Sequence, residues 1–211
     1  MQNNSREEIV QRIAAIQKGR AAIAVDSSNK SAEIYKDVLP DAITCFKDEL
    51  EAISGQCIVC DNELDLYSKL KEFVQQRQFR YVYCRDNVIA SRLEANQIPN
   101  SALEADFLEM EAGITTCEFL VARTGSVLIS SASASGRQMN IFPPIHIVLA
   151  NTSQLVSYLT EALDALQQKY KTSLPSIIST ITGPSRTADI EKTLVLGAHG
   201  PKEFIVFLYK V

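Results

Sequence analysis

The sequence predicts an α/β domain: a mostly parallel sheet with helices on both faces. Two runs carry most of that expectation, residues 145–150 (Ile-His-Ile-Val-Leu-Ala) and 204–209 (Phe-Ile-Val-Phe-Leu-Tyr). Both are apolar over about the length of one strand, the pattern of strands buried on both sides. Segments with helical spacing alternate with such runs along the chain, as crossover connections between parallel strands require. Of the 211 residues, 46% are hydrophobic, so a sizeable core is expected.

In chain order, Ser5-Arg6-Glu7-Glu8 has the form of a capping box, and Ile9, Ile13 and Ile16 recur at helical spacing toward Gly19. Periodicity is then lost from Arg20 to about Ser31, which divides the chain into an N-terminal helix and connector (1–30) and an α/β domain (31–211). From Asp41, the stripe Ile43, Phe46, Leu50, Ile53 marks an amphipathic helix ending near Gly55, and 56–61 reads as a short strand. Asn62 or Asp65 starts a helix to about Gln78, residues 79–84 are rich in strand-forming aromatics, and 88–96 forms a short helix closed by Pro99. After an acidic stretch (103–111) comes the block 112–130, in which two apolar runs, 119–122 and 127–129, flank Thr124-Gly125-Ser126 as paired strands do. Residues 131–140 form a loop, and Pro143-Pro144 forces an extended entry into a central strand at 145–150. Thr152 or Ser153 caps a helix carrying Leu155, Leu159 and Leu166 to about Tyr170; 176–181 and 204–209 are the last strands.

Composition excludes several classes. Lys and Arg number 21 against 25 Asp and Glu, without a basic run, so a nucleic-acid partner is disfavoured. No apolar stretch approaches the roughly 20 residues of a membrane span, and the polar N-terminus lacks a signal-peptide core, which predicts a cytoplasmic address. The five cysteines are then expected as free thiols. Cys57-Ile58-Val59-Cys60 has a metal-site spacing, yet on a strand residues three apart face opposite sides, so no metal and no cofactor is expected. There is no repeat, P-loop or dinucleotide-binding glycine turn.

The candidate site centres on Thr182-Gly183-Pro184-Ser185-Arg186-Thr187-Ala188-Asp189, read as a strand opening into a polar loop and a short helix. Ser185, Thr187 and Asp189 can each cap a helix N-terminus, whose free amides together with Arg186 would hold a phosphate or carboxylate; equally, the segment can be a tight, well-capped connection. Arg137 and Arg186 offer planar forks that match a small anion. His199, in Gly-Ala-His-Gly-Pro, can reach a ligand and shuttle protons, whereas His146 reads as a hydrogen-bonded core group; Asp189 is an acid/base or a cap. The loops holding Thr124 and Ser126, Arg137, Gly183 to Asp189, and His199 are expected to gather on one edge, outside the carboxyl ends of the strands.

These blocks, with Gly113-Ile114-Thr115, Gly136-Arg137, Pro143-Pro144-Ile145-His146 and Leu196-Gly197-Ala198-His199-Gly200-Pro201, resemble the lactate utilisation protein C family and its LUD domain. The resemblance covers roughly the last hundred residues. It implies a fold like that of ribose-phosphate isomerase, glucosamine-phosphate deaminase and the coenzyme A transferases. It also implies a role in converting L-lactate to pyruvate, in a three-protein set whose partners carry the iron–sulfur centres. Arg123 stands where the family commonly has an acid before the Thr-Gly pair, and Thr116 where Gly is usual. Two functions stand at this point. One is an accessory subunit binding a small anionic metabolite through Arg137, Gly183, Ser185, Arg186, Thr187, Thr124 and Ser126. The other is a stand-alone phosphosugar isomerase-like or acyl-transfer enzyme using Asp189 or His199.

Overall fold

The computed structural model describes residues 8–12, 15, 37–187, 195–197 and 199–211. The chain divides into two compact units, Met1–Lys36 and Asp37–Val211. In the first, residues 8–12 and 15 are helical, with Ile9 and Val10 exposed; the connector expected at 20–31 lies outside the described residues.

The second unit begins with helix α1 (Ala42–Ala52), which starts where the sequence places a cap: Asp41 Oδ1 accepts from the amides of Ile43 and Thr44, both at 3.0 Å. Strand β1 (Gln56–Cys60) follows, then α2 (Glu63–Gln76), capped by Asn62, whose Oδ1 accepts from the Asp65 amide at 3.0 Å. Next come β2 (Val82–Tyr83), α3 (Asn87–Ala95) with Asp86 as its cap, β3 (Asn100–Ser101) and β4 (Ala112–Thr116). Strands β5 (Phe119–Val121) and β6 (Ser126–Ser130) form a hairpin, and β7 (Ile145–Asn151) is fully central. The chain ends with β8 (Leu155–Val156), α4 (Leu159–Lys169), β9 (Ile178–Ile181), the short pair β10 (Arg186–Thr187) and β11 (Val195–Leu196), and β12 (Glu203–Tyr209).

Six strands make one all-parallel sheet in the order β1-β12-β7-β4-β2-β3. Its centre is the pairing of β12 with β7 over seven residues, from Glu203↔Ile145 to Tyr209↔Asn151. Alternation along the strands then sorts side chains to two faces. Ile114, Ile147, Ile205 and Phe207 pack on Leu66, Leu70 and Val74 of α2 and on Ile89 and Leu93 of α3. Val148, Val206 and Leu208 face the other way, onto Phe46 and Leu50 of α1 and onto a second sheet, through Leu120, Val127 and Ile129. That second sheet has the order β8-β5-β6-β9, antiparallel except where β5 meets β8. Its far side, Val121 and Leu128, is covered by Ala162 and Leu166 of α4. Full burial of each large aliphatic or aromatic side chain in these layers contributes about 1.5–3 kcal/mol.

The expected parallel, helix-covered sheet is therefore present, with one face covered jointly by α1 and a smaller sheet. Cys57 and Cys60 do point to opposite faces, and burial pushes their thiols up to about 12 and about 11. Three local expectations need correction. The strand expected at 79–84 is only Val82–Tyr83, because β4 pairs with it at a single position, Tyr83↔Gly113. The helix expected from Thr152 starts at Leu159: Asn151 caps a short 3-10 turn over Thr152–Gln154, Gln154 Oε1 takes the Asn151 amide at 2.9 Å, and Leu155 and Val156 then pair with β5. No helix opens at Ser185, since Arg186 and Thr187 pair antiparallel with Leu196 and Val195. Residues 188–194, including Asp189, lie outside the described residues. Among the described residues no helix is long and apolar enough to cross a membrane.

One turn shows how closely the layers meet. Gly125 has φ of 58°, and a Cβ there would stand 2.3 Å from the Leu50 amide nitrogen, inside the backbone of α1. Gly125→Ala combines a left-handed backbone with a clash that only backbone movement relieves, and is expected to cost at least about 2 kcal/mol in urea unfolding.

Candidate functional site

Most of the singled-out loops do gather, but at the amino edge of the parallel sheet. Ser126 Oγ lies 2.8 Å from both Thr124 Oγ1 and Thr182 Oγ1, which ties the start of β6 to the exit of β9. Beside them, Gly183 has φ of 80°, and a Cβ there would lie 2.9 Å from the Ile53 carbonyl oxygen. Arg186 donates to that same carbonyl and, at 3.3 Å, to Ser54 Oγ. Its guanidinium thus satisfies an otherwise free group at the negative end of α1, a favourable place for a cation.

Ser185 faces the next loop. Its amide donates to the Pro201 carbonyl at 2.8 Å, and its own carbonyl accepts from the Gly197 amide at 2.9 Å. Gly200 lies against the Ser185 side chain: a Cβ there would come within 3.2 Å of Oγ. On the far side of this loop, His199 and Lys202 line a cavity of about 430 Å³ together with Ile141, Phe142, Pro144, Gly197 and Gly200. Lys202 is anchored by its amide, which donates to the Pro144 carbonyl at 2.8 Å, so the cavity sits where β7 and β12 begin.

Arg137 does not join this group. Its Nη2 donates to Ser176 Oγ at 2.5 Å, at the end of the β6–β9 pair where Ser130 faces Ile178, while Ser126 and Thr182 flank the other end. The expectation of a carboxyl-edge site is corrected for the rest as well. Thr182 leaves a strand of the antiparallel sheet, and residues 199–202 precede β12 rather than follow a parallel strand. Arg123 pairs with Glu49 Oε1 of α1 at 2.5 Å. His146 is fully buried, its Nε2 2.8 Å from Thr115 Oγ1 and its ring edge-on to Phe204, and burial pushes its pKa down to about 3. It is a neutral core group.

The carboxyl edge holds the groups that the sequence analysis passed over. A cleft of about 300 Å³ runs past Glu63, Tyr67, Arg92, Asn151, Gln154 and Tyr209, and a second of about 220 Å³ past Asp86, Glu118, Lys169 and Tyr170; Thr116 and Cys117 line both. Glu118, with its side chain only 7% exposed, accepts from Ser130 Oγ at 2.5 Å and from Lys169 Nζ and Tyr170 Oη at 2.7 Å each. Burial alone would raise its pKa, but the hydrogen bonds from Lys169, Ser130 and Tyr170 outweigh that and hold the carboxyl below its ordinary 4.5. The signal in the sequence was a lone acid in the two-residue link between β4 and β5, visible as such only once β4 is recognised.

A six-stranded parallel sheet faced by helices and a smaller sheet, with cavities at both strand ends, defines an α/β domain built on an open parallel sheet. The family model described as the LUD domain matches residues 43–209, and the chain belongs to that family. It is 34% identical over 182 residues to the lactate utilization protein C of Halalkalibacterium halodurans, covering 82% of this chain and 73% of that protein. With the lactate utilization protein C of Bacillus subtilis it shares 38% identity over 95 residues, 44% of this chain. An uncharacterized protein of Neisseria meningitidis serogroup B is 32% identical over 100 residues, 47% of this chain. In these last two matches the chain spans about two-fifths of the relatives, 40% and 42% of their length. A crystal structure of a DUF162 family protein from Deinococcus radiodurans has the same fold, with a TM-score of 0.59 at 16% identity, covering 80% of this chain and 96% of that one.

Two outcomes are expected. Arg186→Ala frees the Ile53 carbonyl and should lower stability by about 0.5–1.5 kcal/mol, read as a lower melting temperature without ligand. Glu118, depressed when folded, contributes stability that is present above its unfolded value and lost as pH falls through the folded one. Glu118→Gln should therefore lower the melting temperature at pH 7 and flatten its decline on the acid side of about pH 4.5.

Proposed function

We propose that this chain serves the conversion of L-lactate to pyruvate as an accessory, cytoplasmic subunit that binds a small anionic metabolite beside iron–sulfur partner proteins. The relatives named for lactate utilization support the metabolic context. The observation that supports the anion is the lining of the amino-edge cavity: it carries Lys202 and the imidazole of His199, with no carboxylate among its described lining residues. Both carboxyl-edge clefts hold at least one acid. A small carboxylate at the amino edge would meet the Lys202 ammonium, its hydroxyl or keto oxygen would reach His199, and its methyl group would lie against Ile141, Phe142 and Pro144.

In this reading the residues picked out from the sequence divide their work. Ser185 and His199 belong to the cavity wall and its immediate support, with Thr187 on the adjoining strand. Thr124, Ser126, Gly183 and Arg186 hold that wall on the end of α1, and Arg137 steadies the loop at the other edge. The alternative of a stand-alone isomerase or acyl-transfer enzyme has less support, because the acid that would carry acyl transfer is replaced by Arg123, which is paired with Glu49.

Calorimetric titration with L-lactate, pyruvate and inorganic phosphate tests the reading. Lys202→Gln removes one charge-assisted bond from an exposed side chain, so affinity for the bound acid should fall roughly 10- to 100-fold while the melting temperature stays within about 2 °C. An unchanged affinity would remove the cavity from the proposal. Co-purification with iron–sulfur proteins from lactate-grown cells tests the partner assignment separately.

A further inference from the structure

We propose that the carboxyl-edge cleft is a second ligand site, distinct from the anion cavity and suited to an uncharged ring with vicinal hydroxyls, a pentose or hexose unit. Its position is the first argument. The chain leaves β1 and β2 through α2 and α3 on one face of the sheet, but leaves β4 and β7 toward the second sheet on the other face. A crevice opens between connections that depart in opposite directions, and ligands of open parallel sheets bind in such crevices. Here it lies between α2 and α3, which supply Glu63, Tyr67 and Arg92, and the exits of β4 and β7, which supply Cys117, Asn151 and Gln154.

The second argument is the chemistry of the lining. In each compartment a carboxylate sits hydrogen-bonded to a cation, with a tyrosine hydroxyl in the same cluster. Glu63 and Tyr67 meet Arg92 in one, and Glu118 meets Lys169 and Tyr170 in the other. Such side-by-side donors and acceptors are matched by a hydroxyl, which both donates and accepts, and two adjacent hydroxyls can bridge one carboxylate–guanidinium pair. An anion would satisfy Arg92 and leave Glu63 facing like charge; a cation would do the reverse. With three carboxylates, Glu63, Asp86 and Glu118, against Arg92 and Lys169, the cleft as a whole disfavours anions, opposite to the amino-edge cavity. Between the polar ends, Leu66, Ile89 and Leu149 give an apolar floor for the carbon face of a ring. The first compartment alone, at about 300 Å³, is within the small-molecule range.

Nuclear magnetic resonance titration of the full chain with D-ribose, adenosine, 2′-deoxyadenosine and adenosine 5′-monophosphate tests the site. Ribose, adenosine or both should shift the amides of Ile89, Cys117 and Gln154. Removing the 2′-hydroxyl or adding the phosphate should weaken adenosine at least tenfold. Adenosine tighter than ribose makes the source a nucleoside, and equal affinities a free sugar. Glu63→Gln, at a side chain 42% exposed and so compatible with folding, should weaken binding at least tenfold, and Arg92→Lys, which keeps the charge but loses the planar fork, should weaken it as well. No shift at these amides with millimolar ribose and adenosine, monophosphate binding as tight as adenosine, or affinity unaltered in both variants would overturn the proposal. Failure here and failure of the anion reading are separable, because lactate is read at Gly197 and His199, on the other edge of the sheet.

Discussion

The last turn of α1 is the point on which both sheets are registered. Two glycines from different turns, Gly125 and Gly183, have positive φ and press their backbones against it, one at the Leu50 amide and one at the Ile53 carbonyl. Arg186 closes on the same carbonyl, and the Cys45 thiol on the inner side of the helix reaches the Ala122 carbonyl at 3.5 Å. Any side chain larger than hydrogen at either glycine would push the smaller sheet away from the helix. The apolar layer formed by Phe46, Leu120, Val127 and Val206 is as thin as it is because these approaches are allowed.

That constraint explains why the amino edge carries its particular set of groups. With 182–187 held against α1, the Ser185 backbone is placed to bond both Pro201 and Gly197, and the loop carrying His199 has little choice of path. Guanidinium and hydroxyl groups that look like ligand contacts in the sequence, Arg186, Thr124 and Ser126, serve to fix this path, leaving Lys202, among the described residues, as the cation lining the cavity. At the opposite ends of β7 and β12, seven residues and roughly 20 Å away, the lining changes sign. Separation of that size exceeds the screening length at physiological salt of about 8 Å, so exposed charges on the two edges are largely screened from one another.

What could be read from the sequence was whatever is decided locally. Asp41 and Asn62 announce α1 and α2 because a cap needs only its own first turn, and the largely apolar runs at 145–150 and 204–209 can only be strands or helices buried on all sides. The opposite faces of Cys57 and Cys60 follow from strand geometry alone. Pairing decided the rest. Strand β4 contains Gly113 and two threonines and is a strand because β7 bonds along its whole length. The helix expected at Thr152 yields to the pull of β5 on Leu155 and Val156. Arg186 shows its charge in the sequence, but its acceptor lies 133 residues earlier, and no local pattern reports that. The edge to which a loop belongs is likewise a property of strand direction in the folded sheet.

Arg123 brings these strands of argument together. Left unpaired, this arginine in the hairpin that touches α1 would add a second cation near the amino edge. Glu49, one turn before the end of α1, takes it up at 2.5 Å with both side chains partly shielded from solvent. A pair held at that distance presents little net field a Debye length away. The charge of Arg123 is thereby offset at the surface of one helix, and Lys202 remains the cation lining the cavity. The hairpin is a structural joint between the smaller sheet and α1.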